Sequence, residues 1–255
     1  MNEVNWNEVK FRASSWGNLM TEPVTKAAKE AGELSKTCQK ELIKIYNLVK
    51  YGRKKDIVTK QMDKGKLAEE DSITLFSRVE RKMFIKNEDY LENDWFSGHP
   101  DIFIGDHIEN ADEIWDIKSS WELDTFTPKL VEELDATYEL QLQVYFSLTG
   151  ALSGGISYCL VDCPDVILND ERKRLLYSMN AATDLNPEYI KAEAELVRLL
   201  TFDDIDYRER VIKHKVVRDD EMIEKMKAKV PRMRRFLQEL EEKHLSLYPK
   251  SLNLV

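Results

Sequence analysis

The segment "GHPDIFIGDHIENADEIWDIKSSW", residues 98–121, combines the pattern of buried strands with charged side chains. In "DEIWDIKSS" the residues alternate, so Asp116 and Lys118 lie on one face of a strand and Trp115 and Ile117 on the other. Ionised groups are rarely buried in such a strand unless they are paired or bind a metal. The charges in this segment therefore point to a site or to a structural ion pair.

The same segment predicts a β-hairpin. Residues 101–104 and 113–119 form its strands, and the polar stretch "GDHIENAD" joins them. Asp101 begins the first strand, while Asp116 and Lys118 share one face of the second. A hairpin with a satisfied Asp–Lys pair is the structural alternative to a catalytic site, because ion pairs also occur in strands.

A helix predicted over residues 64–80 adds a third carboxylate. Ile73 and Phe76 fall on one apolar stripe, and Glu69 lies four residues before Ile73 on the same inward face. Glu70 is rotated by about 100° from Glu69, as helix geometry requires. Glu69 is therefore the helical acid expected to approach the hairpin.

Converging carboxylates in a partly dry site repel one another and need a cation. Oxygen ligands favour Mg²⁺, with Mn²⁺ as a substitute. The expected ligands are Asp101, Asp116 and Glu69, with the carbonyl group of Ile117 as a further donor. Lys118 beside the metal would orient or deprotonate an attacking water and offset phosphoryl charge.

Another predicted helix and strand follow the hairpin. Thr127 and Pro128 suit a helix start, and Gly150 suits its end. Gln141 is a polar residue in the middle of the apolar stripe of this helix. The stretch "GGISYCLVDCPD" then predicts a buried strand that stops at Pro164.

These elements predict an α/β fold, with a central mixed β-sheet flanked by helices and a C-terminal helical extension. Residues 1–165 form the core with its N-terminal helices. Residues 166–255 form a connecting segment and charged helices packed on the core, in which Pro231 should kink or split a long helix. The large apolar stripe of these helices makes a homo-oligomer an open expectation.

Composition limits the functional classes. With 255 residues, 42% hydrophobic and 33% charged, the chain can build a sizeable core. Its net charge of −9 argues against a general nucleic-acid binder. Local basic stretches remain at residues 50–56, 212–218 and 231–235, as solvated faces or as binding patches.

Compartment and membrane signals point to a cytoplasmic protein. No signal peptide and no apolar run of membrane-spanning length is present. Cys38, Cys159 and Cys163 are too few for a disulfide framework, and we expect buried thiols in a reducing cytoplasm. His99 is expected to be a turn residue rather than a ligand.

The set of motifs resembles the PD-(D/E)XK nuclease superfamily, in particular its phage lambda exonuclease or YqaJ-like viral recombinase branch. The resemblance spans roughly residues 10–163. It is carried by "FRASSWGNLM", "KGKLAE", "GHPDIFIG", "IWDIKSS" and "YELQLQVYFSLTG". It implies a restriction-endonuclease-like core in which Asp101 and Asp116 bind the metal and Glu69 is the helical acid. Lys118 is then the catalytic lysine, and Gln141 contacts the metal-bound water or the phosphate.

The resemblance also implies a role for the N-terminal element. Arg12 and Ser14, with Ser15 beside them, correspond to residues that contact the terminal 5′-phosphate in such exonucleases. Guanidinium suits phosphate. The alternative is that Ser14 or Ser15 only caps the helix that begins near Trp16.

The function expected from this resemblance is a Mg²⁺-dependent exonuclease acting on linear double-stranded DNA. Degradation from 5′ to 3′ would leave 3′ single strands for an annealing protein in phage-type recombination, in the cytoplasm of a bacterial host if the gene is phage-encoded. An endonuclease or structure-specific nuclease on the same fold is the alternative. A non-catalytic DNA-binding or interaction module is a further one.

Overall fold

Two β-sheets organise the computed structural model, which describes residues 4–55 and 59–247. Their strands are β1 (Phe11–Arg12), β2 (Leu91–Glu92), β3 (Phe96–Gly98), β4 (Ile102–Ile104), β5 (Glu113–Ser119), β6 (Ser153–Cys159) and β7 (Val211–Val217). The smaller sheet has the order β1-β3-β2, and the larger has the order β4-β5-β6-β7. Both sheets are mixed, because β1 runs parallel to β3 and β5 parallel to β6 while the other neighbours are antiparallel.

Helices surround these sheets. They are α1 (Trp16–Leu19), α2 (Lys26–Glu30), α3 (Lys36–Tyr51), α4 (Lys60–Leu67), α5 (Glu69–Glu80), α6 (Leu123–Phe126), α7 (Ala136–Thr149), α8 (Asp165–Ser178), α9 (Pro187–Leu200) and α10 (Asp220–Leu247). Within the described ranges, no helix combines the length and the apolar character that a membrane span requires. The predicted mixed α/β fold with flanking helices is confirmed.

The predicted hairpin is present as β4 and β5. Ile102 pairs with Trp115 and Ile104 with Glu113, in antiparallel register. The alternation of β5 divides its side chains between two hydrophobic clusters. Ile114 packs into the cluster on the α7 side, whereas Trp115 and Ile117 pack with α5 on the other side. Every second residue after Ile114 is therefore directed towards α7.

Two predicted helices differ in their bounds. The helix expected over residues 64–80 is split into α4 and α5 at Ala68. The helix expected from Thr127 begins only with α7, where Asp135 accepts a hydrogen bond from the N–H of Thr137 at 2.7 Å. Gly150 ends α7 as expected, with a φ of 80° that favours glycine.

The C-terminal part contributes more than helices. Residues 211–217 form β7, an edge strand of the larger sheet that the sequence pattern did not predict. Helix α10 continues through Pro231, where a kink or a split was expected, so the helix is not split there. Its apolar stripe is buried in the main core, so this chain itself covers the surface that suggested an oligomer; the stripe consists of Ile223, Met226, Val230, Met233 and Leu237.

Candidate active site

The α7 side of β5 carries a buried carboxylate with two polar partners. Asp116 is only 2% exposed and forms an ion pair with Lys118, its neighbour on the same strand face. From α7, the Nε2 atom of Gln141 donates a hydrogen bond to Oδ1 of Asp116 at 2.8 Å. The period of two in β5 and the inward stripe of α7 thus bring three predicted site residues together.

Asp101 joins this group from the start of β4. Its Oδ2 accepts the backbone N–H of Ile117 at 2.6 Å, so its side chain takes the place of a strand partner. Burial, together with the nearby charge of Asp116, raises the pKa of Asp101 above its ordinary value. The protein therefore holds two carboxylates where their mutual repulsion is unfavourable.

Lys118 offsets part of that repulsion. Although burial acts to lower it, the carboxylates of Asp116 and Asp101 raise the pKa of Lys118 above its ordinary value. The side chain remains 29% exposed, and its ammonium lies 5.2 Å from the ring centroid of Tyr138. Lys118 is therefore a protonated donor at the open side of the site.

The donor set fits a hard divalent cation. Oδ2 of Asp116 is buried and accepts no regular hydrogen bond, although it is close to Lys118. Asp101 supplies the second carboxylate, and Mg²⁺ is commonly held by one or two carboxylates together with water and substrate phosphate. An ion between them would also relieve the repulsion that raises the pKa of Asp101.

The carbonyl group of Ile117 is a suitable additional ligand. Extending the β4–β5 register from the Ile102–Trp115 pair places Ile117 opposite Pro100. Proline has no N–H to donate, so the strand ladder provides no partner for this carbonyl on that side. The side chain of Asp101 already binds the N–H of the same residue, which keeps both groups at one edge.

Glu69, the expected helical acid, is paired with a lysine. Its Oε2 pairs with Nζ of Lys86 at 2.9 Å. Among the residues described, no three His, Cys, Asp or Glu side chains are grouped closely enough to hold a metal. Helix α5 packs on the Trp115 face of β5. The charge of Glu69 nevertheless acts on Asp101 and contributes to its raised pKa.

The N-terminal element reaches the same region through β1. Arg12 lies beside Ser97 in the parallel β1–β3 pair, and the chain continues from β3 directly to Asp101. Arg12 and Ser14 are exposed. Ser15 does not cap α1, and its hydroxyl donates to Oε1 of Glu41 at 3.1 Å. Arg12 and Ser14 are thus open to solvent, whereas the hydroxyl of Ser15 is bound to a carboxylate.

Two further polar residues border the site, and the sequence analysis did not identify either of them as a site residue. Tyr145, one turn after Gln141 on the same helical stripe, accepts from Nε2 of Gln141 at 2.9 Å. Burial raises the pKa of Tyr145 well above its ordinary value, and the guanidinium of Arg12 acts in the opposite direction. The spacing of four residues was the available signal for Tyr145.

Asn87 is the second residue. Its backbone N–H donates to the carbonyl of Asp101 at 2.7 Å, and its Nδ2 donates to the carbonyl of Pro100 at 2.9 Å. The ring of His99, expected to be a turn residue, contacts the carbonyl of Asn87 at 2.6 Å. Its contacts with Asp89 are those of a local turn, whereas its partners at the site lie more than ten residues along the chain, so no local pattern marks Asn87 as a site residue.

The basic stretches have different environments. Residues 212–218 overlap β7, where Lys213 pairs with Glu80. Residues 231–235 lie in α10, where Arg232 and Arg234 donate to backbone carbonyls. In the stretch 50–56, Lys50, Tyr51 and residues 53–55 line a surface cavity at the end of α3, and Asp56 lies outside the described residues. The three cysteines are buried and unpaired, as expected.

Comparisons with known proteins place this fold among solved exonucleases. A phage-related exonuclease from Haemophilus somnus 129PT shares 24% identity with a TM-score of 0.69, over 93% of this chain and 97% of that one. An alkaline exonuclease from Laribacter hongkongensis shares 13% identity with a TM-score of 0.60, over 95% of this chain and 98% of that one. Its complex with dAMP matches at 14% identity and a TM-score of 0.60, over 93% and 94%.

Sequence comparisons add no relative. The chain matches no family model and no curated protein. At the identities above, the structural matches establish a shared fold, which confirms the fold that the motifs resembled.

Proposed function

We propose that this chain is a metal-dependent exonuclease that hydrolyses the phosphodiester bonds of linear double-stranded DNA. The observation that carries the proposal is the convergence of Asp101, Asp116, Lys118 and Gln141 at one edge of the larger sheet. The fold is shared with proteins named as exonucleases, one of them solved with dAMP, which supports the proposal.

Asp101 and Asp116 hold Mg²⁺ in this proposal, with Mn²⁺ as a substitute and the Ile117 carbonyl as a further ligand. When bound, the cation polarises the scissile phosphoryl group and offsets its charge. Glu69 is assigned a lesser role, because its carboxylate is paired with Lys86 and adds only to the negative charge around Asp101.

Lys118 and Gln141 act on the reacting groups. The raised pKa of Lys118 keeps its ammonium protonated, so it donates to the phosphoryl group as negative charge develops there. Gln141 binds Asp116 through Nε2, which leaves its carbonyl oxygen to orient the attacking water.

Arg12 and Ser14 bind the terminal 5′-phosphate and select DNA ends. Guanidinium binds phosphate well, and β1 places Arg12 beside the strand that leads to Asp101. Anchoring the 5′ end gives degradation from 5′ to 3′ and leaves a 3′ single strand. A separate single-strand annealing protein is the partner expected to take that strand.

The main test compares linear duplex DNA with closed circular DNA, in Mg²⁺ and in EDTA. We expect Mg²⁺-dependent loss of a 5′-end label as small products, with a 3′-end label retained on shortened strands. Asp116→Asn should abolish cleavage, whereas Asp112→Asn, on the exposed loop of the same hairpin, should not. Cleavage of closed circles would instead indicate an endonuclease, and no cleavage at all a binding module.

A second test addresses the DNA end. Arg12→Ala should reduce the preference for 5′-phosphorylated over 5′-hydroxyl ends by roughly tenfold or more, because a charge-assisted contact is lost. Arg235→Ala, an exposed arginine of α10 paired with Glu239, is the matched control. An unchanged preference in Arg12→Ala would contradict the assignment of the phosphate site.

A further inference from the structure

Tyr145 connects the two chain segments that carry the candidate metal ligands. Its hydroxyl oxygen accepts from Nε2 of Gln141 at 2.9 Å, and the same nitrogen donates to Asp116. The hydroxyl group donates to the backbone carbonyl of His99 at 3.3 Å, two residues before Asp101. Tyr145 thus contacts Gln141, which binds Asp116, and the backbone of His99, which lies close to Asp101 in the chain.

The direction of these hydrogen bonds is determined. The carbonyl of His99 can only accept, so the hydrogen of the Tyr145 hydroxyl is committed to it. A lone pair of the hydroxyl oxygen then faces the amide of Gln141 and requires its NH₂ end. The carboxamide is held with its nitrogen towards Asp116, and its oxygen is directed away from that carboxylate.

The ring of Tyr145 has little room to move. It is only 4% exposed and packs on β3 at Gly98. A Cβ atom at Gly98 would lie 2.7 Å from Cε1 of Tyr145 and 3.3 Å from Cβ of Ala13, so glycine is required for this packing. The hydroxyl group is therefore positioned by the core rather than by its hydrogen bonds alone.

The same segment is also held by Asn87. Asn87 donates to the carbonyls of Pro100 and Asp101, while Tyr145 donates to that of His99. These contacts of Asn87 hold the backbone of the segment and do not extend to Gln141 or Asp116. Tyr145 is different, because it also contacts Gln141 and through it Asp116.

We propose that Tyr145 is a positioning residue that sets the separation of Asp101 and Asp116 and the orientation of Gln141. The inference rests on the proposed function, in which these aspartates hold the divalent cation. Loss of the hydroxyl group leaves the Gln141–Asp116 hydrogen bond intact but removes the second contact of the Gln141 amide and the hydrogen bond to the His99 carbonyl. The ligands are then present but no longer held in place before the ion binds.

The direct test is Mn²⁺ binding to the DNA-free protein, measured by calorimetry. Tyr145→Phe should bind Mn²⁺ about tenfold more weakly than the unsubstituted protein, as is typical when a residue supporting a metal ligand is lost. Tyr189→Phe is a closely matched control. Tyr189 is also 4% exposed, and its hydroxyl also donates to a backbone carbonyl, that of Arg172, at 3.3 Å.

Kinetics give a second readout that general loosening of the fold would not reproduce. Tyr145→Phe should lower kcat about tenfold at a fixed Mn²⁺ concentration, with KM for linear duplex DNA unchanged. Higher Mn²⁺ should restore part of the rate. Tyr189→Phe should match the unsubstituted protein in both constants.

Asp116→Asn separates the two levels of the proposal. If Asp116→Asn loses Mn²⁺ binding and cleavage while Tyr145→Phe behaves like Tyr189→Phe, the positioning role is overturned and the proposed function stands. If Asp116→Asn binds Mn²⁺ as the unsubstituted protein does, the assignment of the metal site to Asp101 and Asp116 is wrong. A selective loss in Tyr145→Phe, together with the loss in Asp116→Asn, supports the inference.

Discussion

The environments of Lys118 and Lys64 shift the pKa values of these two lysines in opposite directions. The ammonium of Lys118 lies beside the carboxylates of Asp116 and Asp101, which raise its pKa despite burial. Lys64 is fully buried and donates to the carbonyl of Trp121 at 2.9 Å. Because burial dominates there, the pKa of Lys64 is lowered to about 8.

The difference shows what makes a buried lysine suitable for chemistry. Both ammonium groups face aromatic rings, Lys118 that of Tyr138 at 5.2 Å and Lys64 that of Phe202 at 5.4 Å. Of the two, only Lys118 also forms an ion pair, with Asp116, and has an open side. Lys64 ties α4 to the segment after β5, and we interpret it as a structural residue.

The largest expected contrast is in catalysis. Lys118→Met should lower the cleavage rate by roughly 100- to 10,000-fold, because a donor to the reacting groups is lost. Lys64→Met should leave the rate unchanged at temperatures where the variant is folded, since Lys64 lies under Trp121 and away from the carboxylates of the site. Initial rates on linear duplex DNA measure cleavage by both variants. An equal loss of rate in both would contradict the different roles of the two lysines.

The contribution of Lys64 to the free energy of unfolding should change by about 3 kcal/mol between pH 8 and pH 10.5. The folded-state pKa of Lys64 is about 8, against an ordinary value of 10.5, so the unfolded chain binds more protons between these pH values. The contribution of Lys64 to the free energy of unfolding therefore rises with pH in this window, by about 3 kcal/mol.

Urea denaturation of the unsubstituted protein and Lys64→Met measures this effect. The difference between their unfolding free energies should rise from pH 8 to pH 10.5 and stay constant below pH 8. For Lys118 the sign is opposite, because its folded-state pKa is raised and its stabilising contribution is lost at high pH. A flat difference for Lys64→Met would show that its ammonium is not desolvated.

The smallest expected effects concern the aromatic partners. Tyr138→Leu should lower cleavage by less than about fivefold, because one ring adds at most about 1 kcal/mol beside two carboxylates. Phe202→Leu should leave cleavage unchanged and reduce the free energy of unfolding by about 1 kcal/mol, since Phe202 is only 1% exposed. Cleavage rates and urea denaturation distinguish the two variants. A larger loss of cleavage in Phe202→Leu than in Tyr138→Leu would contradict the structural role of Lys64.

Local periodicity was sufficient for much of the site. The alternation in β5 predicted that Asp116 and Lys118 share a face, and the structure has them in an ion pair. The helical stripe that includes Gln141 predicted its approach, and Gln141 contacts Asp116. These predictions hold because each depends on a single strand or helix whose geometry repeats regularly.

Partner choice between distant segments was not predictable in the same way. The expected approach of Glu69 to the aspartates gave no indication that its carboxylate would pair with Lys86. The strand β7 was taken for part of a helical region, and it pairs with the edge of β6. Both outcomes depend on which surfaces meet after the chain has folded.

The sequence by itself determined the hairpin, the charges on its inward face and the resemblance to a nuclease fold. Those features follow from residue order and from the fixed periods of strands and helices. Only the tertiary structure decided that Arg12 lies beside β3, that Lys86 pairs with Glu69 and that Tyr145 joins the segments of Asp101 and Asp116. Such contacts join residues far apart in the chain, and packing of the whole core selects among many possible partners.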